Sequence, residues 1–362
     1  MKKIWSVILT AAMAAAVLSA CGSTGNSSAQ NTNPGNTETA SSAAETVQQS
    51  SASDSSVSSA SEAAGNSDDG KLSVVCTNFP EYDFARQITG DDAEVTMLLK
   101  PGAESHTYEP TPEDIIRIQD SDLFIYVGGD SDEWVADVLS SMDQSELKVF
   151  RLMDQVNTVE EETVEGMEPE EEEEAEGEEG AEGEEEAEMD EHVWTSPVNA
   201  ITIVRKMAGA LEALDPENKE TYSSNAEAYI DELEKLDDQF KDVVDNAKRK
   251  EIIVADRFPF RYFCDEYGLT YYAAFPGCST DTQPSAKTVA FLTDKVKEDH
   301  IPVVFHIELS NEEMADSIAE STGAKSELLN AVHNVSDEDF KAGATYVSLM
   351  QHNVEALREA LN

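Results

Sequence analysis

From residue 71 onward, short β-branched apolar runs alternate with longer segments in which apolar residues recur every three or four positions. The runs are LSVVCTN, EVTMLL, LFIYVGG and LKVFRL in the first half, then EIIVAD, LTYYAAF, PVVFHIE and ELLNAVH in the second. Each has the length and composition of a buried strand. Segments between them, such as PTPEDIIRIQDSD and SAKTVAFLTDKVKED, carry one apolar face at helical spacing. Strand and helix in repeated alternation build mostly parallel sheets, so the pattern predicts an α/β protein with two βα lobes, 71–215 and 251–362. Between the lobes the period changes. Tyr222, Ala226, Tyr229, Ile230, Leu233, Leu236, Phe240, Val243, Val244 and Ala247 share one helical face, with no glycine or proline after Pro216. That predicts one long helix over 216–250, roughly 50 Å at 1.5 Å per residue, packed on both lobes as a rigid bridge.

The pattern is interrupted twice. Residues 1–20 place Lys2 and Lys3 before an apolar run from Ile4 to Val17 and then small residues, the form of a signal peptide. The run is shorter than the roughly 20 residues a membrane-spanning helix needs. Residues 21–70 are Ser, Ala, Asn, Thr and Gly with almost no large apolar side chain, too little to offset chain entropy, so they read as a disordered tether. The second interruption is 158–191, mostly glutamate and free of lysine, arginine and histidine until His192, and is expected to be a disordered acidic loop. The chain has 75 Asp and Glu against 24 Lys and Arg, a net charge of −51. This excludes nucleic acid as a partner, because a phosphate backbone is held through clustered cations.

Candidate chemistry lies at the strand ends. His106 follows EVTMLL, His192 follows LKVFRL, His306 lies within PVVFHIE and His333 ends ELLNAVH. Open α/β sheets bind ligands outside the carboxyl ends of their strands, so two facing lobes would converge these histidines on an interlobe cleft. His300 and His352 read as surface residues. Asp256 and Glu308 end EIIVAD and PVVFHIE. Imidazoles with carboxylates suit zinc or manganese, and no CxxC pair points to a thiolate cluster. Cys76 reads as a core residue, whereas Cys264 and Cys278 flank LTYYAAF and are candidates for a disulfide in an exported chain.

Three longer segments go further. PGAESHTYEPTPEDIIRIQDSDLFIYVGGDSDEWV, DEHVWTSPVNA and TYVSLMQHNVEAL resemble stretches of the solute-binding lipoproteins of bacterial zinc and manganese ABC importers, and Leu18-Ser19-Ala20-Cys21 resembles a lipobox. The resemblance implies lipidation of Cys21 and an anchor on the outer face of the cell membrane. It also implies a monomer that captures zinc, or alternatively manganese, and passes it to a permease and its ATPase without making or breaking a bond. His106 and His192 are the ligands it implies, the latter preceded by a loop that here is glutamate rather than histidine-rich. Its third ligand opens a segment that reads ADRFPFRYF in this chain, which puts Arg257 at the ligand position, and arginine cannot coordinate a cation. The expected replacement is His333, with one carboxylate completing the site, Asp256 ahead of Glu308, and His306 as an alternative ligand or outer partner. Three imidazoles favour zinc over manganese. A surface adhesin would use the same tether and anchor. A zinc hydrolase would need an open position for water, and no HExxH segment is present.

Overall fold

The computed structural model describes residues 70–145, 147–167, 188–279 and 283–362. The signal segment, Cys21 with its tether and the centre of the acidic loop lie outside the described residues. The first half runs β1 (Leu72–Cys76), α1 (Phe79–Thr89), β2 (Ala93–Met97), α2 (Pro112–Gln119), β3 (Leu123–Tyr126), α3 (Glu133–Ser141) and β4 (Lys148–Arg151). Two helices follow, α4 (Pro197–Leu214) and α5 (Lys219–Asp245). The second half runs β5 (Glu251–Phe258), α6 (Arg261–Tyr267), β6 (Thr270–Pro276), α7 (Ala286–Glu298), β7 (Val303–His306), α8 (Glu313–Thr322) and β8 (Lys325–Leu328), and ends in α9 (Asp337–Ala342) and α10 (Tyr346–Ala360).

Among the described residues the strands form two four-stranded parallel sheets, in the orders β2-β1-β3-β4 and β6-β5-β7-β8. Each predicted run contains a strand, although the last is displaced. ELLNAVH was expected to be extended throughout, but β8 ends at Leu328, and Val332 takes a left-handed backbone, φ 63°, which a strand cannot contain.

Strand alternation sorts the core. In β1, Leu72, Val74 and Cys76 face a large central core while Val75 faces a smaller outer one with Phe124, Ile118 and Val135. In β5, Ile252 and Val254 face the same central core, and Ile253 and Ala255 join an outer cluster with Leu292 and Ile318. The two sheets therefore share one interior, filled by the apolar faces of α1, α4, α5 and α10. Helix α5 buries Tyr222, Ala226, Tyr229, Ile230, Leu233, Leu236, Phe240, Val243 and Val244, and at 27 residues it is roughly 40 Å long. It is shorter than the expected 216–250 because residues 248 and 249 already donate to the Leu361 carbonyl on the way into β5.

The edges of the acidic segment correct the expectation of disorder across 158–191. Glu160 and Met189 form an antiparallel bridge, and Tyr262 Oη accepts from the Val159 amide at 3.2 Å while donating to the Asp190 carbonyl at 2.7 Å. Glu161 accepts from the Cys278 amide, and Glu162 pairs with Arg261. The described ends of this segment rest on α6 and on the residue after Gly277, and the second end runs directly into His192.

Candidate metal centre

Three loops that follow the strands β2, β4 and β8 build the site. His106 lies between β2 and α2, in a loop tied to the last segment of the second sheet. Gly102 donates to the Val335 carbonyl, and Asn334 Nδ2 donates to the carbonyls of Lys100 and Ala103. His192 sits one 3-10 turn before α4, where Ser196 accepts from the Asn199 amide as the helix cap. His333 follows β8, and its carbonyl accepts from the Phe79 amide at the start of α1. Trp194, fully buried, backs two of the imidazoles, with ring centroids 5.4 Å from His192 and 5.3 Å from His333, and its indole donates to the Ala331 carbonyl.

The three imidazoles converge. One ring nitrogen from each of His106, His192 and His333 lies within 4.8 Å of the others, and each Nε2 is buried without a hydrogen-bond partner. Buried polar atoms are rarely left unsatisfied. Each opposite nitrogen instead faces a carboxylate: His106 Nδ1 is 2.9 Å from Glu104 Oε1, His192 Nδ1 is 3.0 Å from Asp190 Oδ1, and His333 Nδ1 is 3.6 Å from Glu308 Oε1. A proton on Nδ1 leaves the Nε2 lone pair directed at the common point, the arrangement that orients metal-ligating histidines. Glycine at 277 makes room for it: a Cβ there would sit 2.8 Å from His192 Cε1.

Electrostatics favour neutral rings on two of the three. Burial, followed by the charges of His192, His106 and Arg257, holds His333 well below the usual imidazole pKa. Burial also lowers His106, with Glu104 countering in part. Burial would lower His192 too, but Asp190 and Glu191 outweigh it and the net shift is upward.

The expected carboxylate ligands are occupied elsewhere. Asp256 Oδ1 accepts from the Arg257 amide at 2.8 Å and Oδ2 from the Ile307 amide at 3.2 Å, so it braces the ends of β5 and β7. Glu308 accepts from the amides of Ala331 and His333 at 2.6 and 2.9 Å, holding the left-handed turn at Val332 from both sides. Burial pushes its pKa up to about 7. His306 closes β7 with its ring on the Ile307 carbonyl, apart from the cluster. Arg257 forms a two-point pair with Glu104, 3.1 Å on each arm, and so joins the second sheet to the His106 loop. Cys264 and Cys278 are buried free thiols rather than a disulfide, and Cys278 groups with Glu191 and His192.

The residues that the sequence reading missed are Glu104, Asp190 and Glu191. Glu191 is 2% exposed, accepts from the Ser131 amide and hydroxyl, and brings Oε1 to 3.8 Å from His106 Nε2. A Cβ at Gly129 would collide with its carboxylate. The Gly128-Gly129 pair ending LFIYVGG was the available signal, since adjacent glycines at a strand end mark a close approach.

Residues 74–360 match the family described as zinc-uptake complex component A, periplasmic, or ZnuA. The chain belongs to this family. It is 36% identical over 291 residues to the zinc-binding lipoprotein AdcA of Streptococcus pneumoniae, a match covering 80% of this chain and 56% of AdcA. The chain thus spans little more than half the length of that relative. It is 37% identical over 300 residues to the high-affinity zinc uptake system protein ZnuA of Bacillus subtilis, covering 83% and 91% of the two chains. Its fold matches the Zn(II)-bound ZnuA-like domain of S. pneumoniae AdcA with a TM-score of 0.66 at 32% identity, covering 81% of this chain and 99% of that one. Within the ZnuA fold, the cage lies where two parallel sheets present the ends of their strands to each other.

Proposed function

We propose that this protein captures a zinc ion outside the cytoplasm and hands it to an ABC permease. The observation that carries the reading is the set of three buried, unpartnered Nε2 atoms backed by three carboxylates. Neutral imidazoles are zinc ligands of the right hardness, and a ligand set without thiolate suits reversible cargo. Zn–N bonds of about 2.0–2.1 Å set tetrahedral nitrogens about 3.4 Å apart. Nitrogens within 4.8 Å of one another come to that spacing on loading. Release reverses this: a displacement of one sheet against the other on docking to the permease separates His333 from His106 and His192 and lowers the number of bonds. No bond in a substrate is made or broken. The signal segment and Cys21 support export and a lipid anchor on the outer face of the membrane, the setting such a delivery requires.

The test is metal capture by the purified protein. We expect one zinc held tightly per chain and manganese displaced when both are offered at equal concentration. Manganese retained against zinc would move the reading to the manganese branch of the family, and turnover of ester or peptide substrates by the zinc-loaded protein would replace it with a hydrolase.

A further inference from the structure

Three imidazoles leave one position of a zinc tetrahedron to fill, and the carboxylates around them are not equivalent. Glu104, Asp190 and Glu308 each face an Nδ1, on the outer side of a ring. Glu191 faces an Nε2, with Oε1 3.8 Å from that of His106, and one of its oxygens lies within 4.8 Å of a His192 ring nitrogen. It is buried, and the groups bonded to its carboxylate, the Ser131 amide and hydroxyl, are neutral. A buried carboxylate whose bonded donors are neutral is a natural partner for a cation. Arg257 pairs with Glu104 through both terminal nitrogens, and its Nη1 also lies 3.0 Å from His106 Nδ1. Gly129 leaves room for the Glu191 side chain that no other residue would leave.

We propose that Glu191 is the fourth zinc ligand, bonding through Oε1, and that it supplies the charge the three neutral imidazoles lack. This rests on the zinc-capture reading above. The Ser131 hydroxyl rotates to keep its bond to the carboxylate while Oε1 turns to the metal, so Ser131 positions Glu191 and does not compete for it. The nearest rival is Cys278, the third member of the group with Glu191 and His192.

The experiment uses zinc and cobalt(II) alone, with the full chain. X-ray absorption of the zinc-loaded wild type should show imidazole scattering with one further oxygen near 2.0 Å, and no sulfur near 2.3 Å. Glu191→Gln, which keeps a side chain able to bond Ser131, should lose zinc affinity by about 100-fold or more. It should also change the visible spectrum of bound cobalt. Ser131→Ala should keep affinity within about tenfold, whereas a purely structural Glu191 acting through Ser131 would make the two losses equal. An unchanged affinity and cobalt spectrum in Glu191→Gln, or a sulfur shell or thiolate charge-transfer band in the wild type, would overturn the proposal. If Glu191→Gln fails to fold, the absorption data on the wild type and the Ser131→Ala result decide. Failure of the zinc reading is separate, because it would appear as normal zinc binding by His106→Ala and His333→Ala.

Discussion

The two sheets have the same strand order and the same alternation with helices, but they load equivalent strand ends differently. After the outer strands β4 and β8 both place an imidazole, His192 and His333. After the opposite edge strands the match fails: β2 leads to His106, whereas β6 leads to Gly277 and the thiol of Cys278. The first sheet thus gives two imidazoles, each with a carboxylate within 3.0 Å of its Nδ1. The second gives one, whose carboxylate stands 3.6 Å away and bonds to backbone instead. A repeated scaffold fixes where groups can sit, while the loops decide how firmly each is held. The second sheet holds its imidazole through a turn rather than through the ring.

The strongest way to break this comparison is to remove one imidazole from each side. A four-ligand zinc site binds with about 10–16 kcal/mol, so each inner-sphere bond contributes about 3 kcal/mol, or more than about 100-fold in affinity. His192→Ala and His333→Ala should both show a loss of this size in competition with a chelating dye, and His106→Ala should match them. Near-wild-type zinc binding by His333→Ala would leave the second sheet without a ligand.

Replacing the supporting carboxylates separates the two sides next. Asp190→Asn keeps the shape but removes the charge behind His192 and should weaken zinc by about 10- to 100-fold with little change in melting temperature. Glu308→Gln turns an amide group toward one of two backbone donors and leaves it unpaired, so its main effect should be a stability loss of about 1–3 kcal/mol, read by thermal unfolding. Equal effects on affinity and on melting in both variants would erase the asymmetry.

What the sequence made legible follows the same division. Eight strands among the described residues, the long helix and the convergence of three histidines were readable because burial imposes periodicity and because parallel sheets gather such groups at strand ends. Glu191 and Asp190 were hidden by composition: they close a run of acidic residues, and the one signal for Glu191, the Gly128-Gly129 pair, lies more than 60 residues away in the chain. Asp256 and Glu308 were misplaced for another reason. Whether a carboxylate at a strand end meets a metal or a backbone amide depends on the next turn, and the positive φ of Val332 is not encoded in any residue type that favours it.

A pH titration sharpens the contrast further. His192, with its raised pKa, is protonated in part above the usual imidazole value near 6.5, while His106 and His333 stay neutral to lower pH. Zinc must displace the His192 proton, so affinity should begin to fall above pH 6.5 and drop by about tenfold per unit below the His192 pKa. The stability of the metal-free protein moves oppositely for the two sides. The His192 contribution is present below about pH 6.5 and is lost as pH rises through its raised pKa. The burial of neutral His333 destabilises progressively as pH falls below about 6.5. Zinc affinity flat from about pH 8 to pH 6.5 would contradict the assignment of the raised group to a ligand.

The smallest expected effect on zinc is at Asp256. Its two oxygens bond the Arg257 and Ile307 amides, so Asp256→Ala leaves two backbone donors at the ends of β5 and β7 without that acceptor. Stability should fall by about 1–3 kcal/mol. The metal feels this only through a chain of contacts. Arg257 pairs with Glu104, and both Glu104 Oε1 and Arg257 Nη1 lie within 3.0 Å of His106 Nδ1. A loosened Arg257 still pairs with Glu104, because that pair is made by the guanidinium and not by the backbone that Asp256 holds. Zinc affinity should therefore stay within about threefold of wild type in dye competition, the range of coupling expected between sites without a shared partner. A loss matching that of His333→Ala would mean that Asp256 swings into the coordination sphere on loading, and that the second sheet contributes a carboxylate as well as an imidazole.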